Sequence, residues 1–168
     1  IVMNAGHIPA DVWVHDPKSG GGRIIGEGCH LIDLVAAFTE SEVESIYSTA
    51  LNSDTSNIGN DNVIMNLKMK NGAIATIQYH SNGSKLSPKE KISISADGKT
   101  IDIDNWKKIN GFGCASTRLW AQDKGHLNGV IEFVAAIESQ KEPPIPLSSL
   151  INTTLTTFAH VESLNKKL

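Results

Sequence analysis

GGGRIIGEGCHLID, residues 20–33, sets three glycines before two isoleucines and then places Glu27, Cys29, His30 and Asp33 within seven positions. It reads as a phosphate-cradling loop, half of a metal site, a catalytic helix, or a tight turn into a core helix. A P-loop needs Lys after its last glycine. Gly21 and Gly26 have the spacing, but Glu27 follows, and a carboxylate there repels phosphate. The dinucleotide fingerprint G-x-G-x-x-G fails as well, because counting from Gly20 and Gly22 puts Ile25 in the last position. Glu27 and His30 have the Glu-x-x-His spacing of di-iron helices, yet no second such pair, no Cys-x-x-Cys and no His-Glu-x-x-His accompanies them. No metal is expected.

A helix is the remaining reading. Over residues 26–38, Leu31, Leu34, Val35 and Phe38 recur at spacings of three and four. Leu31, Leu34 and Phe38 form the expected apolar arc, with His30 at its margin and Asp33 three residues on. A half-accessible imidazole beside a carboxylate suits proton transfer near neutral pH. The same placement suits an interfacial His hydrogen-bonded to Asp33 for structural reasons.

Outward from this stretch, residues 1–3 read as extended and residues 5–22, rich in Gly, Pro and Asp, as a loop. The middle of the chain alternates. Residues 43–51, 62–70, 73–80, 91–95 and 100–104 are expected strands, with shorter ones at 106–109 and 115–120. Asn71-Gly72 and Asp97-Gly98 are two-residue hairpin signals whose turn residues both need positive φ. Residues 127–138 predict a helix with Val130, Ile131, Val134 and Ile137 on one face. Pro143, Pro144 and Pro146 enforce an extended connector. Ser148 or Ser149 caps a last helix running to about Lys167, with Leu150, Leu155, Phe158 and Leu164 among its apolar positions. Strands grouped in the middle with helices outside predict an α+β fold, a mainly antiparallel open sheet with helices packed on one face.

The 168 residues suit a single domain, 1–168, large enough to bury a core without disulfides. A net charge of −3 gives no basic excess for nucleic acid. No apolar run approaches the roughly 20 residues of a membrane span. Two cysteines, Cys29 and Cys114, are too few for a disulfide framework, and a cytoplasmic setting is expected. In that setting Asn82-Gly83-Ser84 and Asn152-Thr153-Thr154 are chance matches to the glycosylation pattern. The chain starts on IVMNAG, a strand already in progress, so a longer parent chain is expected.

GGGRIIGEGCHLIDL resembles the second-domain signature of the Gfo/Idh/MocA oxidoreductases, the glucose-fructose oxidoreductase and inositol dehydrogenase family. Gly20 to Gly22, Gly28, His30 and Asp33 match its pattern, and residues 4–34 look like one subgroup of predicted dehydrogenases. The order of hairpins, KGHLNGVIEFVAAIES, proline link and final helix also fits. The resemblance implies the C-terminal fold shared with glyceraldehyde-3-phosphate dehydrogenase. It implies a substrate-binding half whose open sheet forms a homodimer or higher homo-oligomer. NAD or NADP, and the usual catalytic Lys of a Glu-Lys-Pro motif, would belong to an N-terminal Rossmann domain outside this chain. The substrate would be a sugar, a nucleotide sugar or a cyclitol, with His30 at the position that assists proton transfer from its hydroxyl. One position departs: the family's Asp four residues before the His is Gly26 here, and Glu27 comes one place later. Glu27 replaces it only if the first helical turn is irregular, which the glycines permit. The alternative is a non-catalytic dimerisation or ligand-binding module of the same fold.

Asn4, His7, Asp11, Trp13 and Arg23 lie in or beside the loop leading to the site. Trp13 either stacks on a sugar face or plugs the core. Arg23 either pairs with a substrate carboxylate or phosphate, or is solvated. Asp33 orients or caps. His126 reads as a surface His at a helix start, Cys29 as a small core residue, and Lys85, Lys89 and Lys91 as a solvated strand edge.

Overall fold

The computed structural model describes residues 1–16, 18–51 and 61–165. Alternating sequences build an eight-stranded sheet from β1 (Val2–Asn4), β2 (Val43–Ala50), β3 (Val63–Met69), β4 (Ile74–His80), β5 (Glu90–Ala96), β6 (Lys99–Asp104), β7 (Lys108–Phe112) and β8 (Thr117–Arg118). Their order is β2-β3-β4-β1-β5-β6-β7-β8. Among the described residues only β1 and β4 run parallel; the other neighbouring pairs are antiparallel. On β3, Val63, Met65, Leu67 and Met69 are buried while Ile64, Asn66 and Lys68 are exposed, so one face carries the core and the other stays open. With Met3, Ile77 and Tyr79 these side chains meet Ile24, Leu31, Ile32 and Val35 from the covering layer.

The two hairpin signals resolve differently. At Asp97-Gly98 both residues have positive φ, 49° and 71°, and Ala96 pairs directly with Lys99, as a two-residue turn requires. At Asn71-Gly72 only Gly72 has positive φ, 89°. The Met69 N–H donates to Ala73 O at 2.8 Å, which leaves a three-residue loop. Asn71 is held instead by its side chain, whose Nδ2 donates to Thr39 O at 2.9 Å and so ties the hairpin tip to a helix end.

Among the described residues three α-helices accompany the sheet: α1 (Cys29–Thr39), α2 (His126–Glu138) and α3 (Leu147–Asn165). The last turn expected for α3, near Lys167, lies outside the described residues. In α1 the buried stripe is Leu31, Ile32 and Val35; Leu34 is only half-buried and Phe38 is 40% exposed. The expected arc is therefore turned round the helix. Its orientation is set by Ile24, buried one π-helical turn earlier (Ile24–Gly28), whose side chain packs on Gly28.

α2 buries none of its residues, and the expected face of Val130, Ile131, Val134 and Ile137 is exposed. No other element of the described residues packs closely on it. α3 overturns another expectation: Leu150, Leu155 and Phe158 are exposed, while Thr153, Thr156, Thr157 and His160 are buried. The cause is the edge strand β2, whose unpaired backbone groups need partners. Asn152 accepts from the Val43 N–H at 2.8 Å and donates to Val43 O at 3.1 Å. Ser163 Oγ accepts from the Ser48 N–H at 2.9 Å, and His160 Nδ1 lies 2.8 Å from Ser48 Oγ. The hydroxyls of Thr156 and Thr157 donate to carbonyls of their own helix, so their methyl groups form a packable face. The short expected strands are displaced: residues 106–109 give way to a turn with Asn105 and Trp106 at positive φ, followed by β7.

Candidate functional site

The three glycines do not cradle an anion. The N–H groups of Gly20 and Gly21 both donate to Asp16 O, at 2.8 and 2.9 Å, and that of Gly22 donates to Val14 O at 3.0 Å. Gly20 also lies so close to the preceding turn that a Cβ would fall 2.4 Å from Val14 O. With its donors spent internally, the loop does not fit a dinucleotide pyrophosphate. Its conformation instead turns the chain into the π-helical turn, where Cys29 N–H reaches back to Ile24 O. The irregular first turn that the glycines permitted is present.

Glu27 projects from that turn into a cluster. Its Oε2 accepts from Tyr79 Oη at 2.5 Å and from Arg23 Nη2 at 2.9 Å, and its Oε1 lies 3.5 Å from Lys89 Nζ. Arg23 is buried. Its Nη1 donates to Gly6 O at 2.6 Å, its Nη2 also to Ala5 O at 3.3 Å, and its guanidinium stands over the Tyr79 ring, 5.3 Å from the centroid. Burial pushes the Glu27 carboxyl upward, but the hydrogen bonds from Tyr79 and Arg23 and the charges of Arg23 and Lys89 outweigh it and hold it below its usual value. Burial, and then the bond to Glu27, raises the Tyr79 phenol. Glu27 is thus a fixed anion near neutral pH. Burial also raises the Asp61 carboxyl; Asp61 sits 3.7 Å from the buried His15.

The expected site residues divide. Arg23 and Glu27 are brought together. Arg23 is neither solvated nor offered to a ligand, because its terminal nitrogens are taken by two backbone carbonyls and Glu27. Asn4 is a latch: its N–H donates to Lys89 O at 2.7 Å and its Nδ2 to Ser84 O at 2.8 Å. His30, on the first turn of α1, is exposed. Asp33 is half-buried on the same helix and makes no hydrogen bond with His30. Trp13, on a 3-10 turn (Trp13–His15), is 69% exposed and does not plug the core. His126 is exposed at the start of α2, and Cys29 is half-buried with its thiol raised by burial. Tyr79 and Lys89 were missed as site residues. Tyr79 reads as one more inward position of an alternating strand, and nothing local marks its hydroxyl. Among the described residues no group of three His, Cys, Asp or Glu side chains is placed to hold a metal ion, and no helix is long and apolar enough to cross a membrane.

Two hollows open elsewhere on the surface. One of about 450 Å³ lies between β2 and α3. The other, of about 540 Å³, lies between residues 85–89, the turn from β6 into β7, and Arg118 on β8. His30, Glu27, Trp13 and Asp33 line neither; Lys89 belongs to both the Glu27 cluster and the second hollow.

The family model for the GFO/IDH/MocA C-terminal domain matches residues 2–100, more than half of the chain. The chain belongs to that family. No curated protein matches it. Solved structures of several oxidoreductases share the fold. UDP-N-acetylglucosamine 3-dehydrogenase GnnA from Acidithiobacillus ferrooxidans is 13% identical with a TM-score of 0.71, over 97% of this chain and 52% of that one. An aldose-aldose oxidoreductase from Caulobacter crescentus is 14% identical with a TM-score of 0.76, over 98% and 52%. An oxidoreductase domain protein from Kribbella flavida is 14% identical with a TM-score of 0.77, over 99% and 57%. The GFO/IDH/MocA domain described here thus spans about half the length of the structures it matches.

Proposed function

We propose that the chain is the substrate-binding and dimerisation domain of an NAD(P)-dependent oxidoreductase acting on a hydroxyl of a sugar, a nucleotide sugar or a cyclitol. The observation that carries this reading is an exposed imidazole, His30, one turn beyond a half-buried Glu27 whose charge is fixed by the buried Arg23 and Tyr79, in a GFO/IDH/MocA C-terminal fold. His30 is accessible to a substrate hydroxyl and takes its proton as the carbon is oxidised. Glu27 remains an anion throughout, held by Arg23, Tyr79 and Lys89. Trp13 offers an exposed ring to a sugar face, and Asp33 orients polar groups of the substrate. Arg23 and Asn4 keep the loop and turn in place. NAD or NADP is held by another domain of the parent protein, since the glycine loop has no free donors, and the nicotinamide supplies the hydride acceptor there. The open face of the sheet, with Tyr47, Ile64 and Ile74 exposed, pairs two copies into a homodimer. A nucleotide-sugar dehydrogenase and an aldose oxidoreductase among the similar folds support the substrate class. A cytoplasmic setting accords with the two free cysteines, Cys29 and Cys114.

Gly26 favours a second reading, a non-catalytic dimerisation or ligand-binding module. It is exposed and bare where the resemblance implies an Asp. Screening the full-length parent for NAD(P) reduction across sugars and cyclitols separates the two. Turnover that falls by about 100-fold or more in His30→Ala supports the enzyme. Undiminished turnover in that variant removes His30 from the chemistry, and no turnover with any substrate supports the module.

A further inference from the structure

The second hollow is strongly cationic. Lys85, Lys89, Lys107, Lys108 and Arg118 line it against a single carboxylate, Asp104, in a chain whose net charge is −3. Of these five cations only Lys89 has a carboxylate within ion-pair distance among the described residues, Glu27 at 3.5 Å. The cations come from three separate segments: residues 85–89, Lys107 and Lys108 where the turn enters β7, and Arg118 on β8. The sheet register adds a second observation. Lys108 on β7 pairs directly with Arg118 on β8. Like charges directly opposite on antiparallel strands destabilise the pair. Asp104, opposite Lys108 on the other side, is the one carboxylate lining the hollow, and Glu27 serves Lys89 alone. An anion seated between the strands relieves this repulsion.

We propose that this hollow is a binding site for the phosphate-bearing end of a small molecule. Its volume of about 540 Å³ falls within the range of small-molecule sites, roughly 300–1,000 Å³. A concave, local cluster on an otherwise acidic chain favours a compact dianion over an extended polyanion such as RNA, which needs a basic track along the surface. Lysines act as point charges on phosphate, and Arg118 adds a planar fork for two of its oxygens. The inference stands apart from the function proposed above: it holds whether or not His30 transfers a proton.

The test is calorimetric titration of the chain with inorganic pyrophosphate at low and raised salt, on the native sequence and on a Lys108→Ala/Arg118→Ala variant. The expected result is saturable binding that weakens as salt rises and is lost by at least about tenfold in the double variant. The double variant is also expected to melt at or above the native temperature without pyrophosphate, because the opposed charges are gone; this keeps a folding defect distinguishable from loss of the site. A Lys68→Ala/Lys70→Ala control, whose lysines pair with Glu44 and Glu42 at the β2–β3 edge of the sheet, is expected to bind as the native chain does. Absence of saturable binding, equal affinity in the Lys108/Arg118 variant, or single-stranded RNA binding that pyrophosphate does not displace overturns the proposal.

Discussion

Tyr79 and Glu27 meet at 2.5 Å, phenol to carboxylate, across the gap between β4 and the turn that starts α1. Tyr79 has no accessible surface, so the hydroxyl has no water to turn to. Tyr79→Phe removes the donor and leaves Glu27 with Arg23 and Lys89. Hydrogen bonds to charged groups contribute roughly 1.5–3 kcal/mol, so a loss of about that size is expected in urea unfolding. The Glu27 carboxyl should also titrate at higher pH in the variant, followed by NMR. An unchanged titration would mean that the phenol does not hold the anion.

Acid weakens the fold through His160. Burial lowers its imidazole to about 4, from an ordinary 6.5. The unfolded chain takes up this proton near 6.5 and the folded chain only near 4, so stability is full above 6.5 and declines as pH falls toward 4. The shift corresponds to on the order of 3 kcal/mol. Glu27 acts in the same direction lower down: its stabilisation is present above its unfolded value of 4.5 and is lost as pH falls through the depressed folded value. Urea midpoints measured from pH 7 to 4 should show the decline, and His160→Gln should flatten the upper part of it. A native profile that is level down to pH 4.5 contradicts this account.

Gly26 is a flexible residue in a helical turn where nothing lies within 4 Å of the Cβ it lacks, and its φ is not in the left-handed region. Gly26→Ala should therefore raise stability by about 0.5–1 kcal/mol, by restricting the unfolded chain. Gly26→Asp fits the same space and puts a carboxylate four residues before His30. If His30 transfers protons, this variant of the full-length parent should gain turnover or change its pH profile, while His30→Ala removes the gain. A melting temperature that falls in Gly26→Ala would show that the π-helical turn needs the glycine.

Particular residues show how far the sequence reached. β3 and β4 were legible because Val63, Met65, Leu67 and Met69 alternate with exposed residues, and one buried face enforces that register. The Asp97-Gly98 turn was legible because its chemistry is local. Asn71-Gly72 was not, because Asn71 is drawn toward Thr39 by a contact between residues 32 positions apart. α3 misled for a similar reason. Its inward face answers the bare edge of β2, so Asn152, Ser163 and His160 are spent on Val43 and Ser48 while Leu155 and Phe158 stay exposed. In the candidate site, His30 was marked by the family resemblance and Glu27 by its place beside the missing Asp, whereas Tyr79 and Lys89 join Glu27 only after β4 and β5 have been laid beside the turn. The use of Arg23 as a strut for Ala5 and Gly6, rather than as a ligand contact, was likewise invisible from composition.

The loop that carries Lys85 and Lys89 hangs from Asn4, and Gly83 is the residue that lets it. A Cβ on Gly83 would lie 2.3 Å from Asn4 Oδ1 and 2.9 Å from its Cγ, too close for any ordinary contact. Asn4 is itself fixed by the bond from its Nδ2 to Ser84 O at 2.8 Å, so the amide cannot move aside without giving that bond up. Gly83→Ala is therefore expected to cost about 1–2 kcal/mol, the size of one hydrogen bond plus local strain. Asn4→Ala alone should cost about 1 kcal/mol. With the Asn4 side chain already removed, adding Gly83→Ala should cost almost nothing, since the clash has no partner, and the double-mutant cycle should show a coupling of about 1–2 kcal/mol. Hydrogen exchange at residues 84–89 should speed up in Gly83→Ala and in Asn4→Ala alike. Strictly additive stabilities would mean that the two residues do not share the contact and that the loop is held by the Asn4 N–H to Lys89 O bond alone.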